Sequence, residues 1–392
     1  MNLFCIKLGK ALSAVKNDGF FVALKRICVG VWAIIKPVGS GRILFISGGM
    51  GDSARYRTKN VAEFLKNNAI KACVTVQGRP FLSRYVHAFE VFVFHRVMYT
   101  PEIQNIVEQS KALGKTLIFE TDDLVFDEEY LKHMDVLKNM NSLERKQYET
   151  GVGAELLKDS YVQIATTTTS FLAKKLQEKG KKVFIVPNML SQKDLNWAHS
   201  ILKKKKKNLK KDSFVYVGYF SGSKSHDKDF NSIAPVMIRI LKKYPFVRLV
   251  IAGPLLLGDE FFPFSERIDR LPFASRKKHF ENISQIDINI APLEKGNPFC
   301  EGKSELKFFE AGIVNIPTIA SSTQTFREAI EHKKDGFVAE NEEEWEEYIS
   351  DLVEDRKLRY HVGREAKKTA LERYTTLSSS VARDYIHYFE SM

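Results

Sequence analysis

Two lysines and a glutamate share one side of a helix predicted within residues 291–322, which read APLEKGNPFCEGKSELKFFEAGIVNIPTIASS. Ser304 is a suitable N-cap for this helix. Helical spacing places Lys303, Lys307 and Glu310 on one side. The free N–H groups at a helix N-terminus already favour an anion, so a lysine there indicates a negative ligand such as a phosphate, and Glu310 could accept a hydrogen bond from a hydroxyl of the same ligand. The alternative is an amphipathic helix with solvated charges.

The run EGKSELKFFEAG, followed by PTIAS, resembles the donor-sugar motif of family 4 retaining glycosyltransferases. That family carries two glutamates eight positions apart, then Ala, Gly, Pro and a short strand. Glu310 matches the second glutamate, which in the family binds the nucleotide ribose. The first glutamate would fall on Gly302, so the sequence departs from the pattern. Glu301 lies one residue away, and Lys303 with Ser304 resembles a variant found in a polysaccharide-building subgroup.

The resemblance implies a GT-B fold, in which two Rossmann-like domains with doubly wound parallel sheets flank a cleft. It also implies a reaction: a sugar passes from a nucleotide-sugar donor to a glycan or lipid-linked saccharide acceptor with retention, in cell-surface polysaccharide biosynthesis. The nucleotide-sugar is then a substrate, and no separate cofactor is expected.

A loop of small residues follows the strand predicted at 214–220 and supplies further candidates for donor binding. It contains Ser221, Gly222 and Lys224, and it leads to Lys228 at the next predicted helix. Small residues let backbone N–H groups approach phosphate oxygens closely, and the lysines add positive charge. Lys228 resembles the diphosphate-binding lysine of the family. We therefore expect Lys228 and Lys303 to neutralise the donor diphosphate.

Carboxylates cluster where the strand at 116–120 is predicted to end. Glu120, Asp122 and Asp123 could coordinate a divalent metal. Asp122 or Asp123 could instead accept a proton from the acceptor or stabilise a developing cation, and one of the two could simply cap the next segment. Because the lysines already supply cations for a diphosphate, we expect Asp122 and Asp123 to be catalytic and no metal to be bound.

A glycine-rich run at 48–51 lies between a predicted strand and a predicted helix. It matches a dinucleotide-binding fingerprint, but the required acid about 20 residues further on is missing, so NAD is discounted. The run resembles the loop that faces the acceptor in the first domain of these transferases. Gly49, Arg55 and Arg57 are therefore candidates for acceptor binding; the alternative for the two arginines is a solvated helix charge.

Short apolar strands alternate with helices along the whole chain, which favours an α/β fold with buried parallel sheets. We expect a basic amphipathic N-terminal segment at 1–40, an N-terminal Rossmann-like acceptor domain at 41–200, a lysine-rich linker at 201–213, a C-terminal Rossmann-like nucleotide-sugar donor domain at 214–375, and a C-terminal helix at 376–392. In the resembling family this last helix crosses back to the first domain.

The net charge limits the possible binding partners of the protein, and the cysteines indicate the redox state of its compartment. Sixty Lys and Arg against 48 Asp and Glu give a net charge of +12. This charge admits a phosphorylated substrate, an anionic membrane surface or nucleic acid, but no RNA-binding motif accompanies it, so no nucleic acid partner is expected. Four scattered cysteines without metal spacing favour a reduced cytosol.

The first 38 residues are basic and rich in apolar residues. Their longest apolar run, 27–35, is shorter than the about 20 residues that span a bilayer, and no signal-peptide cleavage site follows. The predicted amphipathic helix could lie on an anionic leaflet or pack on the edge of the first domain. We expect a cytoplasmic protein. If the helix lies on an anionic leaflet, the protein attaches peripherally to the inner face of the membrane.

Two other classes of function compete with an active transferase. A catalytically inactive paralogue could act as a scaffold in a glycan-assembly complex, because the first glutamate of the motif is missing at Gly302. A basic membrane- or nucleic-acid-binding module is suggested by the net charge of +12 and the lysine run at 203–207.

Overall fold

The chain forms two compact units, Met1–Met189 with Val381–Met392, and Leu190–Ser380. Each is built on a six-stranded sheet whose strands are all parallel. The α/β class and the pair of Rossmann-like domains are therefore confirmed. The computed structural model describes residues 20–131, 145, 148, 151–207, 213–221, 227–378 and 380–392. The amphipathic helix predicted within the first 19 residues lies outside this range.

The first unit orders its sheet β2-β1-β3-β4-β5-β6. Every residue of β1 and β3 is buried, as expected for a parallel sheet covered on both faces. The strands are β1 Ile43–Ser47, β2 Ala72–Val76, β3 Val91–His95, β4 Thr116–Glu120, β5 Ile164–Thr167 and β6 Lys182–Ile185. The helices are α1 Phe20–Ile35, α2 Asp52–Ala54, a π-helix at Arg55–Asn60, α3 Val61–Asn67, a 3₁₀ helix at Leu82–Ala88, α4 Pro101–Ala112, α5 Glu128–Leu131, α6 Ala154–Lys158 and α7 Ser170–Gln177.

The second unit orders its sheet β12-β11-β10-β7-β8-β9. Its strands are β7 Val215–Phe220, β8 Val247–Ala252, β9 Ile268–Leu271, β10 Ile288–Ala291, β11 Thr318–Ser321 and β12 Phe337–Ala339. Its helices are α8 Gln192–Lys207, α9 Asp227–Asn231, α10 Ala234–Lys243, a 3₁₀ helix at Asp259–Arg267, α11 Arg276–Ile283, α12 Pro298–Glu301, α13 Leu306–Gly312, α14 Gln324–Ala329, α15 Glu342–Glu354 and α16 Arg356–Arg373.

In both units the strand order reverses direction beside the first strand of the sheet. The reversal lies between β1 and β3 in the first unit and between β7 and β10 in the second. Ligands of open α/β sheets bind outside the carboxyl ends of the strands at such a switch point. The loops after β1 and β3, and those after β7 and β10, are therefore where a ligand site is expected.

The last helix, α17 Arg383–Glu390, belongs to the first unit. Its Tyr385 and Phe389 are buried in that unit's core, and the Tyr385 ring lies 5.6 Å from the ring of Phe184 on β6. Arg42 also donates a hydrogen bond to the carbonyl oxygen of Phe389. The chain therefore returns to the first unit after completing the second.

The prediction of a linker at 201–213 is wrong for residues 201–207. Residues up to Lys207 continue α8, and 208–212 lie outside the described residues. Ala198 and Ile201 are buried at helical spacing on α8, whereas Lys203 and Lys204 are exposed. The lysines thus form the solvated side of an amphipathic helix. The second unit begins at Leu190, 24 residues before the predicted start at 214.

Candidate functional site

The carboxylate of Glu310, on α13, is buried and held at both oxygens by side chains of α11. Arg276 Nη1 donates to Oε1, and His279 Nε2 lies 3.0 Å from Oε2. Since a carboxylate only accepts, Nε2 carries the proton in this contact. Arg276 Nε also pairs with Asp194 Oδ1 of α8 at 3.2 Å. The carboxylate is therefore fixed in one orientation.

Sequence reasoning missed Arg276 and His279 because the helix that carries them was not predicted. Its residues, RKKHFENI, are mostly polar, so the apolar periodicity is weak. The sequence does contain one feature that could have indicated them. Arg276 and His279 lie three residues apart, on one face of a helix that Ser275 precedes.

Lys303 and Ser304 lie between α12 and α13 and are half-buried. The prediction that Ser304 caps the helix is wrong, because α13 begins at Leu306 with Glu305 as its N-cap. Glu305 is itself buried, and burial raises the pKa of its carboxyl. The donor role proposed for Lys303 and Ser304 thus stays a prediction, with both residues in the loop that enters α13.

Lys307, one turn before Glu310 on α13, is half-buried, and its Nζ lies 4.8 Å from the centroid of the Tyr219 ring on β7. Burial lowers the pKa of Lys307, and the nearby charge of Lys303 lowers it further. The second unit therefore gathers Lys303, Lys307 and Glu310, the three residues whose spacing the sequence singled out.

The loop after β7 is described at its two ends. Ser221 is buried and donates its N–H to the carbonyl of Ala252, 2.8 Å away. Gly222 and Lys224 lie outside the described residues, so their predicted role in donor binding is neither supported nor opposed. Lys228 lies on α9 with its side chain exposed.

Asp229, next to Lys228, ties the start of α9 to the loop after β10. Its buried Oδ1 accepts hydrogen bonds from the N–H of Glu294 at 3.1 Å and from Cys300 Sγ at 3.4 Å. Burial together with the charge of Asp229 raises the pKa of the Cys300 thiol to about 12. Cys300 is therefore an unreactive thiol that supports the loop.

Glu301, the residue beside the missing glutamate of the motif, supports α14. Its Oε2 accepts a hydrogen bond from the N–H of Gln324 at 2.9 Å, and its carbonyl accepts one from Thr325 Oγ1 at 3.1 Å. A carboxylate at the first turn of a helix satisfies a free N–H group and complements the helix dipole. At least one oxygen of Glu301 is thus occupied by a structural contact.

In the first unit, Asp122 and Asp123 share one cation. Arg96 Nε lies 2.6 Å from Asp122 Oδ1, and Arg96 Nη2 lies 3.5 Å from Asp123 Oδ2. His95 Nε2 is 3.7 Å from the same oxygen of Asp122 and 3.0 Å from Ser53 Oγ. Burial alone would raise the pKa of Asp122, but the charge of Arg96, together with the nearby His95, holds it well below its usual range. Asp122 is therefore ionised at neutral pH.

The glycine-rich loop packs directly on the backbone of Arg96. A Cβ at position 48 would lie 1.9 Å from the Arg96 carbonyl oxygen, so only glycine fits there. Arg96 itself has a φ of 47°, a left-handed conformation that costs a non-glycine residue free energy. Gly49 is exposed, with no atom near the place of a Cβ. The loop thus fixes Arg96 while leaving Gly49 accessible.

The prediction that Arg57 binds an acceptor is wrong. Its side chain is fully buried and makes a two-pronged ion pair with Glu120, with Nε to Oε1 at 2.8 Å and Nη2 to Oε2 at 3.1 Å. A third nitrogen, Nη1, donates to the Val186 carbonyl. Arg57 lies in the π-helix, whose wider turn changes which side chains point inward. It joins three elements of the core.

Arg55 stays near the surface. It pairs with Asp52 at 3.2 Å, and its guanidinium lies 4.2 Å from the centroid of the Tyr56 ring. In the part of the chain that the structure describes, no group of three or more His, Cys, Asp or Glu side chains could hold a metal ion.

Comparison with known proteins identifies the second unit. Residues 198–369 match the family described as glycosyl transferases group 1. No curated protein sequence matches the chain.

Solved structures match almost the whole chain at low sequence identity. HepE from Anabaena in complex with UDP-glucose superposes with a TM-score of 0.59 at 14% identity, covering 90% of this chain and 100% of that one. Sucrose-phosphate synthase from Thermosynechococcus elongatus gives 0.59 at 11%, covering 89% and 98%. WaaG, a glycosyltransferase involved in lipopolysaccharide biosynthesis, gives 0.53 at 12%, covering 88% and 99%. Residues 198–369 are therefore similar to the glycosyl transferases group 1 family, and the chain has the GT-B fold of glycosyltransferases.

Proposed function

We propose that this protein is an active glycosyltransferase that transfers a sugar from a nucleotide-sugar donor to a glycan or lipid-linked saccharide acceptor, with retention, in cell-surface polysaccharide biosynthesis. The observation that carries the proposal is Glu310: a buried carboxylate at the carboxyl edge of the second sheet, beside two lysines and at the position of the family's ribose-binding glutamate. The complexes of HepE with UDP and with UDP-glucose support a nucleotide-sugar donor.

Glu310 is suited to bind two ribose hydroxyls. A carboxylate has about four lone-pair directions, and Arg276 and His279 each take one. Ribose hydroxyl groups would donate hydrogen bonds to this carboxylate, and the two partners on α11 keep it from rotating. An acceptor that is oriented before the ligand arrives needs no reorganisation on binding, which favours affinity.

The lysines stabilise the departing nucleoside diphosphate. When the bond between sugar and phosphate breaks, negative charge grows on the leaving group, and a cation fixed beside it lowers the barrier. Lys303 and Lys228 carry this role, and Ser304 and Ser221 offer hydrogen bonds to phosphate oxygens. Loss of one such donor typically costs about 2.7–4 kcal/mol in the transition state. No separate cofactor and no metal is needed in this scheme.

In the first unit, Asp122 and Asp123 serve the reacting sugar and Gly49 and Arg55 the acceptor. Because the pKa of Asp122 is held well below its usual range, it is a weak base. A fixed negative charge is better suited to stabilise the oxocarbenium-like sugar of the transition state. We therefore assign Asp122 an electrostatic role and leave the acceptor proton to a different group.

We further propose that the protein attaches peripherally to an anionic membrane surface through α1. Trp32 and Ile35 are each 61% exposed, although both are large apolar side chains. Lys59 is close by: burial lowers its pKa, and the charges of Lys36 and Arg55 lower it further. Exposed apolar side chains beside clustered cations are typical of a segment that lies in a lipid interface. No helix among the described residues is long and apolar enough to cross a bilayer.

The glycine-rich loop lies next to α1. A Cβ at position 30 of α1 would lie 3.2 Å from Cε of Met50, and Met50 is itself exposed. A lipid-linked acceptor held in the leaflet would thus meet this loop as it leaves the membrane surface.

The inactive paralogue is the second candidate, and Glu301 is the observation that favours it. The first glutamate of the motif is replaced by Gly302, and the neighbouring Glu301 is engaged with α14. Such a protein would retain the fold and could retain nucleotide binding, but it would not turn over a donor.

Ligand-induced thermal stabilisation by UDP, GDP and ADP tests the proposal first. We expect one nucleoside diphosphate to raise the melting temperature of the wild type and to lose most of this effect in Glu310→Gln. Glu343→Gln, an exposed change on α15, is the matched control. Incubation of the matching nucleotide-sugar with a lipid-linked saccharide, followed by NMR of the anomeric proton, then tests transfer and retention. Binding without turnover would favour the inactive paralogue, and absence of binding by the wild type would overturn both.

A further inference from the structure

We propose that Lys307, which the sequence motif does not assign to any ligand, binds the diphosphate of the donor from the buried side of the site. The inference rests on the proposed function, since it requires a nucleoside diphosphate as ligand. Four observations lead to it: the surroundings of the ammonium, the engagement of the nearby carboxylates, the second lysine beside it, and its spacing from Glu310.

Lys307 is half-buried, so its ammonium group has lost part of its hydration, and few protein groups nearby replace it. Its Nζ faces the ring of Tyr219 at 4.8 Å, and this ring is itself fully buried in the sheet. Among the residues that the structure describes, no carboxylate forms an ion pair with Lys307. A cation–π contact replaces only a small part of the lost hydration.

The carboxylates that approach Lys307 are already engaged elsewhere. Asp229 and Glu310 both act on it through their charge. Asp229, however, accepts hydrogen bonds from the Glu294 N–H and from Cys300, and Glu310 accepts them from Arg276 and His279. These hydrogen bonds of the two acids go to groups other than Lys307, on which the acids act through their charge.

A second cation, Lys303, raises the positive electrostatic potential around Lys307. Lys303 is near enough for its charge to lower the pKa of Lys307. Two like charges in the same place favour the binding of an anion, because the anion reduces their mutual repulsion. Lys228, the lysine singled out by resemblance, is exposed, so water and salt screen its charge more strongly. Lys307 is the more desolvated cation, and an ion pair to it is correspondingly stronger.

The spacing on α13 identifies the ligand class. Lys307 and Glu310 lie three residues apart, so their side chains leave the same face of the helix about 5–6 Å from each other. Glu310 accepts from hydroxyl groups, and Lys307 donates to an anion one turn away. A nucleoside diphosphate carries its ribose hydroxyls and its phosphates at about this separation, so a single ligand satisfies both residues.

A structural lysine and a ligand-binding lysine respond differently to Lys307→Met. Methionine keeps the length of the stem and removes the charge. If Lys307 serves the ligand, the unliganded protein should be as stable as the wild type or more stable, because a poorly compensated charge is gone. Diphosphate binding should weaken about 10- to 100-fold, as expected for a lost hydrogen bond to a charged group.

Calorimetric titration of UDP and of uridine into the wild type, Lys307→Met, Lys307→Gln and Lys307→Arg tests the proposal. Lys242→Met, an exposed lysine on α10, is the control. We expect both neutral variants to lose affinity for UDP but not for uridine, Lys307→Arg to recover part of it, and the control to bind like the wild type.

Two results would overturn the assignment of Lys307: UDP binding by the neutral variants as tight as that of the wild type, or an equal loss for UDP and uridine. The second result would show that Lys307 supports the shape of the site and does not contact phosphate. If the wild type bound none of UDP, GDP and ADP, the proposed function would fail and this inference with it.

Discussion

Arg276 and Glu310 form an ion pair between two helices of the second unit, with Arg276 Nη1 donating to Glu310 Oε1. The same guanidinium reaches Asp194 on α8 through Nε. It thus joins three helices through two carboxylates that are both buried. The pair explains why a carboxylate can be kept charged in a buried place before any ligand arrives.

Replacing Arg276 should therefore damage both stability and donor binding. Arg276→Met leaves the carboxylates of Glu310 and Asp194 without their cation, which for a buried pair costs about 3 kcal/mol of unfolding free energy. Affinity for the nucleoside diphosphate that stabilises the wild type should fall as well, because Glu310 loses its fixed orientation. Urea denaturation and titration of that nucleotide measure the two effects.

Restoring a positive charge separates the two roles of Arg276. Arg276→Lys should recover much of the stability and little of the UDP affinity, because an ammonium cannot bridge two carboxylates with the geometry of a guanidinium. Equal recovery of both would mean that only the charge matters.

Asp122 should contribute stability that depends on pH in a defined direction. The pKa of its carboxyl is well below the usual value in the folded chain and about 3.9 in the unfolded chain. The contribution is therefore complete above about pH 5 and is lost as the pH falls below the unfolded-state pKa and through the folded-state pKa. Asp122→Asn should cost about 1–3 kcal/mol at pH 7, because Arg96 loses its partner.

Denaturation of the wild type and of Asp122→Asn between pH 3 and pH 8 measures this contribution. The difference in unfolding free energy should stay constant from pH 8 to about pH 5 and shrink only in more acidic buffers. A difference that already shrinks near pH 6 would contradict a lowered pKa, and would make Asp122 a candidate general base after all.

Turnover should survive chelation by EDTA. Glu120 is paired with Arg57, and Asp122 and Asp123 are paired with Arg96, so the carboxylates that could bind a metal already face guanidinium groups. In the proposed function, the lysines beside Glu310 supply positive charge for the leaving diphosphate. Sugar transfer with and without EDTA is the measurement. Complete loss that Mn²⁺ or Mg²⁺ restores would reassign these carboxylates to a metal site.

The sheets could be predicted from sequence because their strands carry a local signal. The strand at 116–120 was expected with the bounds that the structure has, and the strand expected at 214–220 begins one residue later, at Val215. In a parallel sheet covered on both faces each strand is a short apolar run, and turn residues mark its ends. The motif around Glu310 could be found for the same reason, since its residues follow one another closely along the chain.

The partners of these residues could not be predicted, because contacts between distant segments leave no local signal. Arg57 was expected to face a ligand, yet it pairs with Glu120, 63 residues away, after a π-helix turns it inward. Arg276 and His279 lie 34 and 31 residues from Glu310, on a helix with weak apolar periodicity. The lysine run was expected to be a linker because it contains no apolar residues. The apolar residues that hold this helix against the second unit lie earlier in α8.

The last prediction concerns membrane attachment by α1. Sedimentation with anionic vesicles should carry the full-length protein into the pellet at low salt and release much of it at high salt, because each basic residue near the leaflet contributes about 1 kcal/mol and salt screens it. Deleting residues 1–36 should weaken this binding. The competing view is that α1 packs on the first unit and adds only stability.

A variant that keeps the basic residues separates the apolar contribution from the charge. Trp32 and Ile35 are exposed, so replacing both with Ser should leave the melting temperature nearly unchanged. Each loses apolar surface that would enter the lipid interface, worth about 1.5–3 kcal/mol per fully buried side chain. Vesicle binding should therefore fall by more than tenfold, while Lys242→Ser, an exposed change on α10, leaves it unaltered. Equal sedimentation of the folded double variant and the wild type would show that α1 does not enter the interface, and no sedimentation of either would exclude the membrane surface as a partner.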